Sequence, residues 1–421
     1  MSDVAAPVEV EDVAALPLEE LHPAKAKRFA NDTLWPVFER LRREAPVHYT
    51  PESEVGAYWS ISRWDDIMAV DTDHKTFSSE PNITLLPHVD GQADVTVPGL
   101  AMFIAMDPPK HDIQRKTVSP AVSPTNLKLL EPLIRERAAK ILDSLPIGEP
   151  FDWVDLVSKE LTAMTLATLF GVPQEYRRLL THWSDIVTAQ PGPGRIVETR
   201  EEKIQVFQDY HAYFTKLWNE RVNAEPTGDL ISMLAHSPAT RNMSPLEFFG
   251  NVILLTVGGN DTTRNTMTGS VYALNKNPDE FAKLKASPEL LPSMVSETIR
   301  WQTPLAYMKR RATRDVEFGG KTIREGDTVA MWYVSGNRDE SVIDRPNDYI
   351  IDRERPRQHM SFGFGIHRCV GNRLAELQLQ IVWEEALKRF PDIVVVEEPV
   401  RVLSSFVKGY ESMQVVIPAR H

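Results

Sequence analysis

The sequence predicts a mainly helical protein with a smaller β part. Three observations lead to this reading. From Pro108 to about Leu234 the chain runs through helical segments broken by proline. Ser244 to Asn277 is a long, capped stretch with an apolar middle. After Arg311 the pattern changes to short strand-like runs bounded by glycine and turn residues.

Residues 1–25 are acidic, rich in Ala, Val and Pro, and read as a loosely attached leader, with 26–421 as a single domain. A helical stretch from Pro36 to Glu44 gives way to strand alternation at Val47-His48-Tyr49 and Tyr58-Trp59-Ser60-Ile61. Pro81 to Phe103 has several prolines and glycines and no period. It reads as a long loop of the kind that carries binding function. The segment 190–195 cannot continue either flanking helix and is expected to be another loop. Ser244-Pro245-Leu246-Glu247 has the residues of a capping box, with proline suited to the first turn. A further helix is expected from Ser287-Pro288 to about Trp301, then strands at Val316 to Lys321 and Thr328 to Val334. A last amphipathic helix follows Gly371 and ends at Phe390-Pro391.

Composition narrows the function. With a net charge of −12 the chain lacks the basic surface that nucleic acid requires. No apolar stretch of about 18 residues is present to span a bilayer. The start lacks the basic and apolar regions of a signal peptide. Cys369 is the one cysteine, so no disulfide forms within the chain; this fits a reducing, cytoplasmic setting and makes the thiol a candidate for chemistry.

Cys369 lies in Phe362-Gly363-Phe364-Gly365-Ile366-His367-Arg368-Cys369-Val370-Gly371. Glycines on both sides allow the backbone to approach a flat partner closely. The cysteine sits just ahead of a helix N-terminus, whose dipole and free N–H groups favour a thiolate. A zinc site at His367 and Cys369 fails on ligand count, since no second cysteine exists. A buried structural cysteine in a glycine-rich turn is the plain alternative.

This pattern resembles the haem-binding loop of the cytochrome P-450 family, position for position. Three further motifs in the family's order extend the resemblance over nearly the whole chain. Glu297 and Arg300, three apart on a helix, resemble the family's buried ion pair, completed by Arg353 from the stretch before the loop. In isolation such a pair is usually a solvated helix face. Gly258-Gly259-Asn260-Asp261-Thr262-Thr263 resembles the oxygen-activation motif. Glycine there leaves room beside the helix, and a Thr hydroxyl can bond back to the preceding turn. The resemblance assigns Thr262 to holding activated dioxygen and its water, and Asp261 to relaying protons. His111 and Arg115, four apart on a helix, resemble a pair that binds a haem propionate. His367 and Arg310, or its neighbour Arg311, match the other propionate partners.

The resemblance implies a triangular helical fold with a long central helix over haem b (iron protoporphyrin IX). Cys369 would be the axial ligand and Phe362 would lie in the cofactor-binding loop. The implied reaction joins RH, dioxygen, two electrons and two protons to give ROH and water. No electron-transfer domain fits in the remaining sequence, so a ferredoxin and its reductase are the expected donors. Lys116, Arg357, Arg368 and Arg373 offer a docking patch. The residues around Asn260 and Arg373 resemble those of the bacterial alkane and fatty-acid terminal hydroxylases. Family position gives pocket walls from Ile83, Leu85, Leu86, Met102, Phe103, Leu255, Gly258, Leu305, Met308 and Phe406. A steroid or terpene hydroxylase, a peroxide-driven enzyme and a non-catalytic haem sensor stay open as alternatives.

Overall fold

The computed structural model describes residues 12–86, 100–189, 191–192 and 195–421. Most of the loop expected over 81–103 lies outside them, as do residues 190, 193 and 194 of the second expected loop.

Helices dominate. Between Pro108 and Leu234 the breaks at proline separate Lys110–Val118, Pro124–Asp143, Glu160–Phe170, Arg177–Thr188, Arg200–Val222 and Leu230–His236. The central helix runs from Pro245 to Lys276, 32 residues; its C-terminal half from Asn260 to Leu274 is almost wholly buried, while Leu254, Leu255, Val257, Gly258 and Gly259 in its middle keep accessible surface. Ser244 caps it by accepting from the Glu247 N–H at 3.2 Å. The reciprocal half of the expected capping box does not form. The Glu247 carboxylate turns instead to Lys110, at 3.0 Å, and to the Gln114 amide, because an ion pair and a charge-assisted hydrogen bond outweigh one orphan N–H. Helices Leu291–Gln302 and Asn372–Arg389 pack beside it and complete the helical body.

The β part centres on a five-stranded sheet. Its order is Val47–Thr50, Tyr58–Ile61, Thr328–Met331, Met308–Ala312 and Phe77–Ser78. The strand expected over Thr328 to Val334 stops at Met331, and Tyr333–Gly336 turns helical. Val316–Phe318 and Lys321–Ile323 form a hairpin whose turn, Gly319-Gly320, has φ of 55° and 72°. Both residues take the left-handed region that a two-residue hairpin loop demands.

Residues 12–25, expected within a loose leader, are tied to the body. Leu21 is fully buried and Val13 nearly so. Arg40 donates to the carbonyls of Val13 and Leu16 at 2.8 and 2.5 Å. Burial of the few apolar side chains offsets the entropy of ordering this stretch. They join a cluster with Phe29, Phe38, Tyr58, Tyr307 and Trp332 that links the N-terminal segment to the sheet.

Candidate active site

Sequence around Cys369 fixes an unusual backbone. Gly363 and Gly365 have φ of 64° and 63°. A side chain at Gly365 would come within 2.7 Å of the Asp71 carbonyl, so glycine is required on conformation and on space. The Cys369 N–H closes the loop on the Phe362 carbonyl at 2.8 Å. The helix begins at Asn372, three residues on. Burial pushes the Cys369 thiol above its usual range, against the opposing pull of the Gly371 N–H, Arg115 and Arg368. The helix terminus therefore does not by itself give a thiolate; a metal cation at Sγ would. Cys369 nevertheless keeps accessible surface although protein surrounds it, so that surface faces an internal space.

Polar groups converge beside this loop. The rings of His111 and His367 meet edge to face with centroids 4.3 Å apart. Both histidines are buried; Nε2 of His111 and both ring nitrogens of His367 lack a hydrogen-bond partner. Such orphans are costly unless a further group satisfies them. Burial, then the charges of Arg310, His111 and Arg115, holds His367 neutral, with a pKa lowered to about 2. Arg115 donates to the Arg368 carbonyl. Arg310 is buried, whereas Arg311 is exposed, so of the two neighbours Arg310 is the one that points inward. Its guanidinium is already engaged, however. It donates to Asp71 Oδ1 at 2.7 Å, and Asp71 Oδ2 accepts from Tyr333 OH and the Phe364 N–H, each at 2.8 Å. Asp71 thus ties Arg310 to the Cys369 loop, a connection that sequence reasoning missed because the two residues lie 239 positions apart.

In the central helix the Thr262 hydroxyl donates to the Gly258 carbonyl at 2.9 Å. Gly258 faces open space: a side chain there would meet nothing within 4 Å. Gly259 instead packs on Leu166, which a side chain would meet at 2.6 Å. Asp261 is fully buried, and burial pushes its pKa up against the pull of Arg264. Its Oδ1 accepts from Ser184 at 2.7 Å and pairs with Arg264 at 3.2 Å, while Oδ2 has no partner. Arg264 continues to Asp185 at 2.5 Å and Asp185 to Lys159 at 3.2 Å, where the side chains are partly accessible. Arg264, three residues after Asp261, was a signal that the sequence offered.

Glu297 has no exposed surface and is held from three sides. Arg300 contacts both its oxygens at 2.7 Å, Arg353 both at 3.0 Å, and the Ile350 N–H donates at 2.8 Å. The arginines also reach backbone carbonyls of Asn337, Pro346, Asp344, Arg345 and Asp348. The triad therefore anchors the chain between residues 337 and 353, leading to the Cys369 loop.

Of the expected pocket walls, Ile83, Leu86, Met102, Leu255, Leu305, Met308 and Phe406 keep partial access. Leu85 and Phe103 do not. Leu85 belongs to the N-terminal cluster and Phe103 to the main helical core, its N–H held by Asn251 at 2.9 Å. Among the described residues no group of acidic, His and Cys side chains could hold a bare metal ion.

The comparisons with known proteins agree with this geometry. The cytochrome P-450 family model matches residues 72–403. The chain belongs to the cytochrome P-450 family. It is 36% identical over 392 residues to linalool 8-monooxygenase of Pseudomonas putida, covering 90% of this chain and 95% of that one. It is 32% identical over 390 residues to a methyl-branched lipid omega-hydroxylase of Mycobacterium tuberculosis, covering 90% of each. Among solved structures, CYP153D17 from Sphingomonas sp. PAMC 26605 matches with TM-score 0.88 and 45% identity over 95% of this chain and 100% of that one. Cytochrome P-450-153 from Novosphingobium aromaticivorans matches with TM-score 0.86 and 44% identity over 94% and 99%. The protein is thus an oxidoreductase of the monooxygenase type, and the cytochrome P-450 family implies a haem-thiolate cofactor. The unpartnered His111 and His367 nitrogens, the accessible thiol and the open face at Gly258 suit such a group. No helix among the described residues is long and apolar enough to cross a membrane.

Proposed function

We propose that this monooxygenase inserts one atom of dioxygen into the terminal C–H bond of a medium-chain alkane or a related alicyclic compound, using haem b. The observation that carries this reading is the opening at Gly258 in the central helix, one turn from Leu255 and from Thr262, together with the partly accessible apolar side chains Ile83, Leu86, Met102, Leu305, Met308 and Phe406 expected around it. A hydrocarbon offers no hydrogen bonds, and such a surface asks for none. The omega-hydroxylase among the relatives supports terminal attack. The linalool 8-monooxygenase favours a second reading, a terpene hydroxylase with the same machinery.

Cys369 would hold the iron, with Phe362 in the loop beside it, and His111, Arg115, Arg310 and His367 would hold the propionates. The haem supplies the oxidation, tuned by electron donation from the thiolate. The protein's own residues bind, orient and move protons. Thr262, its proton engaged by the Gly258 carbonyl, presents lone pairs that accept a hydrogen bond from water in the opening. Asp261 can turn its unpartnered Oδ2 to take and release a proton, while Ser184 and Arg264 steady Oδ1. Lys116, Arg357, Arg368 and Arg373 are all exposed and would dock an acidic ferredoxin, itself reduced by a ferredoxin reductase. Such a setting is cytoplasmic.

Two measurements test this account. A substrate titration of the ferric protein is expected to give a low- to high-spin shift with medium-chain alkanes, and turnover a primary alcohol. A shift confined to terpenes or steroids, or alcohols formed only within the chain, would reject terminal alkane hydroxylation. Thr262→Ala is expected to keep the spin shift and the rate of reductant use while product per electron pair falls about tenfold. Unchanged coupling would remove Thr262 from the proton path.

A further inference from the structure

A pocket of about 250 Å³ is lined by none of the residues assigned above to haem or hydrocarbon. It is bounded by the N-terminal segment at Asp32 and Trp35, the end of the central helix at Tyr272, and Trp301. Arg338 and the C-terminal residues Arg401, Lys408 and Tyr410 complete it. Its charge is the reverse of the whole protein's. Four cations, Arg42, Arg338, Arg401 and Lys408, face two acids, Asp32 and Glu39, in a chain of net charge −12.

Two of those cations are buried without a counter-ion. Arg338 and Lys408 are 5% and 8% exposed, and among the described residues neither pairs with a carboxylate. Arg338 Nε has no hydrogen-bond partner at all. Lys408 Nζ has the Gln302 carbonyl at 3.1 Å. Both cations lie over the same two indoles. The Arg338 guanidinium is 4.4 Å from the Trp35 ring and 5.5 Å from Trp301; Lys408 Nζ is 5.4 and 5.6 Å from them. Cation–π contacts return only part of the hydration that a buried charge gives up. Burial accordingly lowers Arg338 to about 9 and Lys408 to about 8. The nearby acid is occupied elsewhere: Asp32 accepts from Trp35 Nε1 at 3.0 Å and meets Arg401 at 3.5 Å. Arg42 is likewise taken, by Glu340 at 3.0 Å.

We propose that this pocket binds a small organic carboxylate, its head between Arg338, Arg401 and Lys408 and its body against Trp35 and Trp301. The space holds roughly eight waters, more than a halide needs and enough for one ring or a short chain. The aromatic walls favour an organic body over a bare inorganic anion. The carboxylate would supply an acceptor to Arg338 Nε, which has none, and a second one to Lys408 Nζ. This site is independent of the hydrocarbon reading of the active site.

Benzoate is a suitable probe. Calorimetric titration of the haem-loaded protein with sodium benzoate is expected to show one saturable site at about 1 mM or tighter, with no shift of the haem absorption band. Benzyl alcohol, the neutral analogue, and sodium chloride at matched ionic strength are expected to give no saturable heat. Arg401→Gln, at the rim, and Lys408→Met are each expected to weaken benzoate binding at least about tenfold while the haem spectrum stays unchanged. No saturable heat, an equal response to chloride or benzyl alcohol, or full affinity in a folded Arg401→Gln protein would each overturn the proposal.

Discussion

Glu297→Ala is expected to destabilise the protein by about 3–5 kcal/mol, the usual consequence of removing one partner from a buried charge group. The magnitude follows from what is left behind. Arg300 is 1% exposed, and its guanidinium is fixed by the carbonyls of Asn337, Pro346 and Asp348, so it cannot swing out to water. Arg353 is held in the same way by three carbonyls. Arg300 would stay buried, and Arg353 nearly so, with no carboxylate. The loss is transmitted to the Cys369 loop, since the segment these arginines hold leads directly into it. Urea unfolding and haem content per protein measure the effect together. A midpoint unchanged from the parent protein would show the triad to be dispensable.

Asp261→Asn is expected to lower turnover by about 100-fold or more, within the range for losing a positioned proton donor. The substitution preserves shape and the contact with Ser184, but an amide cannot take up and release a proton at neutral pH. Burial raises the pKa of Asp261, so its carboxyl holds a proton to higher pH than an exposed aspartate. The spin shift on substrate binding should persist, because Asp261 lies behind the helix face that Gly258 and Thr262 present to the opening. Steady-state rates with a ferredoxin supply and the solvent isotope effect on them are the readouts. Equal rates in the two proteins would exclude Asp261 from proton delivery.

What the sequence made legible was periodic or local. Proline breaks and the Ser244 cap located the helices, because both act within one turn of the chain. The Thr262 back-bond to Gly258 was readable for the same reason. Long-range choices were not. The partner of Glu247 proved to be Lys110 and Gln114, in a different helix, and the partner of Arg310 proved to be Asp71. Leu85 and Phe103 have the same apolar character as Ile83 and Met102, yet tertiary contacts turn them into the core. The ordering of Val13 and Leu21 likewise depends on a surface made by distant aromatic residues. The cationic pocket draws on residues from Asp32 to Tyr410, and no local pattern announces it.

The central claim is that Cys369 carries the haem iron, and the absorption spectrum of the reduced, carbon monoxide-bound protein tests it most directly. Cys369 is the one cysteine in the chain, so no other residue can supply a thiolate. The folded, haem-loaded protein is expected to show the red-shifted band of thiolate ligation, and Cys369→Ser to lose it. A band typical of histidine ligation in the parent protein, or a thiolate band that survives in Cys369→Ser, would contradict the account.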